Sequence, residues 1–401
     1  MELRDYQIEL SDKGCEILTK HGLVYFSMEV RTGKTLTALQ TANKYTCNKV
    51  LFVTKKKAIS SITNDYNLLS PDYQIAIVNY ESLHKVNLKD YDLFILDEAH
   101  SMGAFPKPSK RVKELGYITK PVIYLSGTPS PESWSQLYHQ FYPSANSPFK
   151  EHKTFYKWAN NYVNKKQRVI NSNTINDYSD AKIEIIKRKT DHLFLSYTQK
   201  QAGFNQTINE NTLIVDMPNN CKFLIDKLKK ELVIQGDEEV ILADTPVKLM
   251  QKVHQLSSGT VKFESGNTMT FSTFKADYIK HYFKGQKIAI FYKFKAEFEC
   301  LKSVFSDWTN DIEEFNTSNK VFLSQIVSGR EGINLSIADS LIFYNIDFSA
   351  TSYLQARDRL TSKTRTKENK VYWVFSDYGI EKDIYKAVIK KEDYTLKHFR
   401  K

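Results

Sequence analysis

The sequence predicts an α/β protein built as two blocks, each a parallel sheet covered by helices, with a helical stretch between them. Three observations lead there. Short runs rich in β-branched and aromatic residues alternate with longer stretches of helical period, the pattern of strands and covering helices. The run before Asp97 in "DLFILDEAH" is apolar almost without interruption, as a strand buried on both faces must be. A chain of 401 residues also exceeds what one hydrophobic core usually supports.

The strand candidates of the first block are residues 23–26, 50–54, 75–79, 93–96 and 122–126. Between the first two, "KTLTALQTANKY" has helical period. From about Pro131 to Asn161 the pattern turns to aromatic-rich helix ("PESWSQLYHQFY", "FKEHKTFYKWANNYV"), followed by a polar stretch, "NKKQRVINSNTINDYSD", that reads as loop. A second series follows, with strand candidates 287–292, 320–325, 340–344 and 370–375. The expected division is 1–147 for the first lobe, 148–218 for a helical and loop connection, and 219–401 for the second lobe with a C-terminal helix.

Composition narrows the partners. With 57 Lys and Arg against 46 Asp and Glu, the formal charge is +11, an excess that favours polyanions because cations that neutralise phosphates release counterions. Taken alone, Lys55 to Lys57 read as a solvated loop. No apolar stretch approaches the roughly 20 residues that span a bilayer, so no membrane partner is expected. The N-terminus "MELRDYQIEL" lacks a signal-peptide layout, and the four cysteines lie far apart without ligand spacing, as reduced thiols. A cytoplasmic location is expected.

"SMEVRTGKT" follows the first strand. Against the phosphate-loop pattern G-x-x-x-x-G-K-[ST] it has Met28 for the first glycine but keeps Gly33, Lys34 and Thr35. Such a turn aims backbone N–H groups at an anion, the lysine reaches the β/γ-phosphates, and the hydroxyl of Thr35 ligates magnesium. The helix after it directs its N-terminal dipole at the same place. At the end of the buried strand, Asp97 is placed to hold magnesium, and Glu98 to orient and deprotonate a water.

With these motifs the chain resembles superfamily 2 helicases and translocases, and among them the Swi/Snf-related branch. The resemblance covers nearly the whole chain in the family's motif order. "LRDYQ" is similar to the adenine-reading glutamine motif, "VLFVTKKKAI" and "VNYESL" to motifs that face DNA, "LDEAH" to the DEAH box, and "SGTP" to the motif coupling hydrolysis to movement. "IKRKTDHLF", with Arg188 and Lys189, resembles the basic passage between lobes; "KIAIFYKF", "SGREGINL" and "QARDR" resemble second-lobe motifs, and "VYWVFSDYGIEKDIYKAVIKKED" the helix-bearing tail. The short segment between "IAIFYKF" and "VFLSQ", the lack of a recognisable appended module and a bias to Lys, Asn, Ile and Tyr resemble a minimal bacteriophage-type member, which places it in a host cytoplasm.

The resemblance implies two RecA-like lobes that hydrolyse ATP with Mg2+ between them and move along DNA. It assigns catalysis to Lys34, Asp97, Glu98 and an arginine finger, Arg359, and magnesium to Thr35 and Asp97. Nucleotide contacts fall to Arg4, Gln7, Gly33, Lys34, Thr35, Gly332 and Arg365. The second arginine expected in "QARDR" is replaced by Ser362, so Arg365 and Arg357 stay open as alternative fingers. Arg31 stands where the family often has a second glycine. Nucleic-acid contacts, mainly to phosphates, are expected from Thr54, Lys55, Lys56, Tyr80, Ser82, Gln325, Ser328 and Asn334. The expected partner of a monomeric motor is double-stranded or branched DNA, with single strands also open and RNA the weaker candidate. The rival reading is a nucleic-acid scaffold with weak or no ATPase activity; a small-molecule P-loop kinase leaves "SGTP", "SGREGINL" and "QARDR" without an account.

Overall fold

A computed structural model describes residues 2–170, 173–204, 208–329, 333–362, 365 and 367–390, of which 168–170, 173–175 and 351 by backbone alone. The chain forms two compact units, Met1–Gly203 and Phe204–Lys401. Both are α/β, each a six-stranded parallel sheet covered by helices, as expected of RecA-like lobes.

In the first unit the strands are β1 (Leu23–Met28), β2 (Lys49–Thr54), β3 (Gln74–Asn79), β4 (Leu93–Leu96), β5 (Val122–Leu125), β6 (Lys166–Ile170), β7 (Asn173–Asp177) and β8 (Phe194–Tyr197). The sheet runs β3-β2-β4-β5-β1-β8. Its strands are short and apolar because both faces are covered, and successive side chains alternate between two cores. Leu23 and Tyr25 of β1 join Leu51, Val53, Phe94 and Tyr124 on one face. Val24, Phe26 and Met28 join Phe52, Ile95 and Ile123 on the other, beneath the helices Asp5–His21 and Lys34–Tyr45.

The first of these faces is covered by aromatic residues from Tyr138 to Tyr162. The expected helical run there is two short helices, Gln136–Phe141 and Phe155–Tyr162. Pro143 and Pro148 lie between them, and proline removes a helix donor and clashes with the preceding turn. The polar stretch expected as loop holds the antiparallel hairpin β6/β7. Val169, Ile170, Thr174 and Ile175 supply the β-branched residues that favour strands, even in a polar setting.

The second unit contains β9 (Ile208–Val215), the hairpin β10 (Val233–Gln235)/β11 (Val240–Leu242), the hairpin β12 (Thr260–Lys262)/β13 (Thr268–Thr270), β14 (Ile288–Tyr292), β15 (Trp308–Thr309), β16 (Val321–Gln325), β17 (Ser340–Phe343) and β18 (Asn369–Ser376). Its parallel sheet runs β15-β16-β14-β17-β18-β9. Residues 148–218, expected as a connection, supply the edge strands β8 and β9, one to each sheet.

Parallel strands leave their carboxyl ends on one side, and in such sheets ligands gather there. In the first unit β2, β4, β5 and β1 are consecutive neighbours. The residues that follow them are Lys55, Asp97, Ser126 and Glu29.

Candidate active site

Met28 ends β1 as a buried strand residue packed in the core, outside the positive-φ residues, so its position makes no demand for glycine. Gly33 does make one. It caps the helix Lys34–Tyr45 at φ 84, and a Cβ there would overlap the amide nitrogen of Gln7. Between them the turn closes through Thr32, whose N–H and hydroxyl both donate to the Glu29 carbonyl at 3.3 and 2.7 Å. Arg31 holds φ 64, a left-handed conformation costly for a residue with a Cβ.

Lys34 sends its ammonium back over the turn, donating to the carbonyls of Met28 at 2.8 Å and Glu29 at 3.3 Å. Thr35, half-buried, is the second residue of the same helix. The turn therefore sits at a helix N-terminus, where the helix dipole favours negative charge, with a cation folded across it.

Two segments hold the turn from outside. Gln7 is buried; its Oε1 accepts from the Arg4 N–H at 3.0 Å and its Nε2 donates to the Gly33 carbonyl at 3.3 Å. The exposed Arg4 donates to the Tyr6 hydroxyl at 2.8 Å, and Tyr6 donates in turn to the Thr32 carbonyl at 3.0 Å. From the other side come residues that sequence reasoning missed. The Tyr197 carbonyl accepts from Glu29 N–H at 2.9 Å, Glu29 Oε2 accepts from Gln199 N–H at 2.7 Å, and Gln199 Nε2 donates to the Val30 carbonyl at 3.0 Å. Tyr197 also stacks on Tyr6, with ring centroids 4.4 Å apart.

The acidic group sits one strand beyond β5. Burial and the neighbouring Glu98 carboxylate push the Asp97 carboxyl up to about 6, against the opposing pull of the Thr54 hydroxyl and the Lys34 ammonium. Thr54 donates to Asp97 Oδ2 at 2.7 Å, and the Tyr80 hydroxyl donates to the Asp97 carbonyl at 2.7 Å. Glu98 takes φ 50, a second left-handed turn, which opens the short helical turn Ala99–Met102. His100 Nδ1 lies 3.2 Å from Glu98 Oε2 and 2.9 Å from the Ser126 hydroxyl. Beside Ser126, a Cβ on Gly127 would stand 3.3 Å from the Met28 carbonyl and 3.5 Å from Lys34 Nζ. The "SGTP" segment therefore touches both the turn and, through His100, the acidic group.

Among the described residues no cluster of three or more His, Cys, Asp or Glu has metal-binding spacing. Magnesium needs no such cluster: one carboxylate, a hydroxyl, water and substrate oxygens satisfy it. The adjoining carboxyls of Asp97 and Glu98, and the Thr35 hydroxyl on the first helical turn, are oxygen donors of that kind.

Two expected nucleic-acid contacts are corrected. Thr54 and Tyr80 are fully buried, with their hydroxyls committed to Asp97, and the Arg111 guanidinium lies 4.9 Å from the Tyr80 ring centroid. They support the acidic group and present no surface. Lys56 is exposed, and Lys55 and Ser82 are half-buried at the same sheet end.

In the second unit, Gln325 donates to the Lys293 carbonyl at 2.8 Å, Ser328 is half-buried, and the exposed Asn334 accepts from Ser336 N–H at 3.1 Å. Gly332 lies outside the described residues. Arg359 is half-buried, its Nε donating to the Gln355 carbonyl at 3.1 Å; its own carbonyl accepts from Leu335 N–H at 3.1 Å, joining "QARDR" to "SGREGINL". Arg357 pairs with Glu210 at 3.1 Å and Asp358 at 3.2 Å. Arg365, expected at the nucleotide, is corrected: it is buried, with its guanidinium on the carbonyls of Ser336, Ala338, Lys367 and Glu368 at 2.5–3.0 Å. A planar fork of five donors suits that task, and here it ties backbone.

No helix among the described residues is long and apolar enough to cross a membrane. Residues 1–85 match the family described as type III restriction enzyme, res subunit. The chain is similar to helicase SWR1 of Saccharomyces cerevisiae, 34% identical over 101 residues, which are 22% of this chain and 7% of that protein. It is likewise similar to helicase swr1 of Schizosaccharomyces pombe, 34% over 101 residues (22% and 8%). A third likeness is to the chromatin-remodeling ATPase INO80 of Pyricularia oryzae, 35% over 91 residues (22% and 5%). The matches span less than a tenth of these relatives' length.

Proposed function

We propose that this chain is an ATP- and magnesium-dependent DNA translocase or helicase. One observation carries the reading: the Gly33 turn, the Asp97–His100 segment and the Ser126–Gly127 turn follow neighbouring strands and meet at one end of one sheet, with Gln7 packed on the turn. The triphosphate would replace the Met28 and Glu29 carbonyls as partner of the Lys34 ammonium, with the helix N-terminus behind it. Magnesium, held by Thr35 and Asp97, would neutralise charge on the phosphates. Glu98 would orient the attacking water and accept its proton, steadied by His100. The His100–Ser126 bond joins this step to the "SGTP" turn, which gives hydrolysis a mechanical outlet in the first unit. Arg359 keeps the role of arginine finger that the resemblance implies. The excess of +11 charges and the names of the relatives favour DNA as the track.

The test is the rate of ATP hydrolysis with and without DNA. Stimulation by DNA is expected, with Lys34→Ala and Glu98→Gln each lowering the rate roughly 10²–10⁴-fold. Unstimulated wild-type protein, or full activity in both variants, defeats the proposal. Displacement of a triplex strand without separation of a duplex would assign duplex tracking; separation of strands would assign unwinding.

A further inference from the structure

At the end of β5 away from the phosphate turn, the first unit carries a cavity of about 720 Å³. Its place follows from the backbone. Ile118 donates to the Pro143 carbonyl at 2.7 Å, and Ala145 donates to the Ile118 carbonyl at 2.8 Å, just before the chain enters β5 at Val122. The chain leaves β5 at Ser126, beside the Gly33 turn. The cavity and the turn therefore flank opposite ends of one strand, and the residues that serve hydrolysis are absent from the cavity's lining.

Two stretches of chain, 108–117 and 138–153, line it. Lys113 comes from the helix Lys110–Leu115, Tyr117 follows Gly116, and Tyr142, Lys150 and Lys153 come from the turns between the two aromatic helices. Tyr138 forms the floor, its hydroxyl donating to the His152 carbonyl at 2.7 Å. Two features need explaining. The Tyr117 and Tyr142 rings are 72% and 45% exposed at the mouth, although most aromatic side chains of this unit are buried in its core. Lys113, Lys150 and Lys153 are exposed, and among the described residues none has a carboxylate within ion-pair distance. The neighbouring carboxylates serve other lysines: Glu114 pairs with Lys110, and Glu151 with Lys189.

Three uncompensated cations around open aromatic rings call for a ligand that is anionic and flat at once. A bare phosphate would leave the rings wet, and a neutral apolar ligand would leave the lysines without a role. We propose that this cavity binds a nucleobase together with its adjoining phosphate, the base stacked on Tyr117 or Tyr142 and the phosphate met by the lysines. Its volume lies within the roughly 300–1,000 Å³ of small-ligand sites, and bases of any sequence stack on aromatic side chains. Such chemistry is offered by a free nucleotide or by an unpaired stretch of a nucleic-acid strand. The site goes beyond the motor reading, since it takes part in no step of hydrolysis.

The test irradiates the full chain with a 12-nucleotide thymidine oligomer carrying 5-iododeoxyuridine and maps the crosslinked peptides, with fluorescence anisotropy of the same oligomer alongside. Crosslinks are expected on the peptides that hold Tyr117 or Tyr142. Tyr117→Ala should bind the oligomer about 5- to 10-fold more weakly, and the double variant Lys150→Glu/Lys153→Glu about 10-fold or more. ATP hydrolysis without nucleic acid should stay unchanged in both. Excess AMP that erases the crosslink identifies a free nucleotide as ligand; a crosslink that persists identifies a strand. Crosslinks confined to other peptides overturn the proposal. So does weakening by the lysine changes with none from Tyr117→Ala and Tyr142→Ala, or displacement of the oligomer by poly-glutamate as readily as by oligonucleotide.

Discussion

The two units treat their cations differently. In the first, Lys34 folds back over its turn onto the carbonyls of Met28 and Glu29, which on the proposed function an oxyanion would replace. In the second, Arg365 is embedded among carbonyls and Arg357 is paired with carboxylates of its own unit. A cation on a turn at a sheet's carboxyl edge is placed for a ligand; a guanidinium surrounded by four carbonyls is placed for the fold. The contrast predicts that changes at Lys34 alter rates and leave stability nearly intact, whereas changes at Arg365 do the reverse.

The sharpest way to break this contrast is Gly33→Ala. The added methyl meets the Gln7 amide at a φ that disfavours any Cβ, so the turn must shift. ATP hydrolysis should fall about 10²-fold, the scale of an ångström-sized misplacement, with a stability loss of about 1–2 kcal/mol from the forced left-handed conformation. Unchanged turnover would remove the turn from the chemistry. Next comes Arg365→Ala, which leaves four carbonyls without their buried donor. It should cost about 3–5 kcal/mol in urea unfolding, and Arg365→Lys should recover little because an ammonium cannot span the same acceptors. A stable variant with a collapsed hydrolysis rate would return Arg365 to the nucleotide.

A smaller effect is expected from pH. Burial alone would raise the Asp347 carboxyl, but the Lys293 ammonium beside it, together with the Ser352 hydroxyl and the Phe348 N–H, outweighs that and holds it below its ordinary 3.8. A depressed carboxyl stabilises the fold above its unfolded pKa and loses that contribution as pH falls through the folded value. Stability should therefore decline below about pH 4 in wild type, with a shallower decline in Lys293→Met, as read by denaturation at stepped pH. An identical slope in both would place the acid sensitivity elsewhere. The smallest expected change is Arg31→Gly, which removes the left-handed strain and should raise stability by up to about 1 kcal/mol. Any loss instead would mean that the arginine side chain contributes more than its backbone costs.

Much of this was readable before the fold. The helix Lys34–Tyr45 and the cores of β1 to β5 coincide with the apolar runs, because a strand buried on both faces leaves no ambiguity of pattern. Lys34, Asp97 and Ser126 could be placed together because each follows a strand, and parallel strands share a carboxyl end. The edge strands β8 and β9 were hidden: "FLSY" is short, and "INENTLIV" mixes polar residues, as a strand with a partner on one side only permits. Thr54 and Tyr80 misled for another reason. Their place in the motif order suggested a surface, but both hydroxyls are spent on Asp97, that of Thr54 on the carboxyl and that of Tyr80 on the backbone carbonyl, a demand that only the neighbouring strand reveals. The reach of Arg365 and the meeting of Tyr117 with Lys150 likewise depend on chain segments that the sequence keeps apart.

The stitching of Glu29 and Val30 to Tyr197 and Gln199 has a mechanical corollary. Those bonds anchor the last stretch of the first unit, a few residues upstream of Phe204, where the second begins. On the proposed function, a loop tightening around a triphosphate would load these bonds first, so the stretch that leads out of the first unit begins where that strain would be felt.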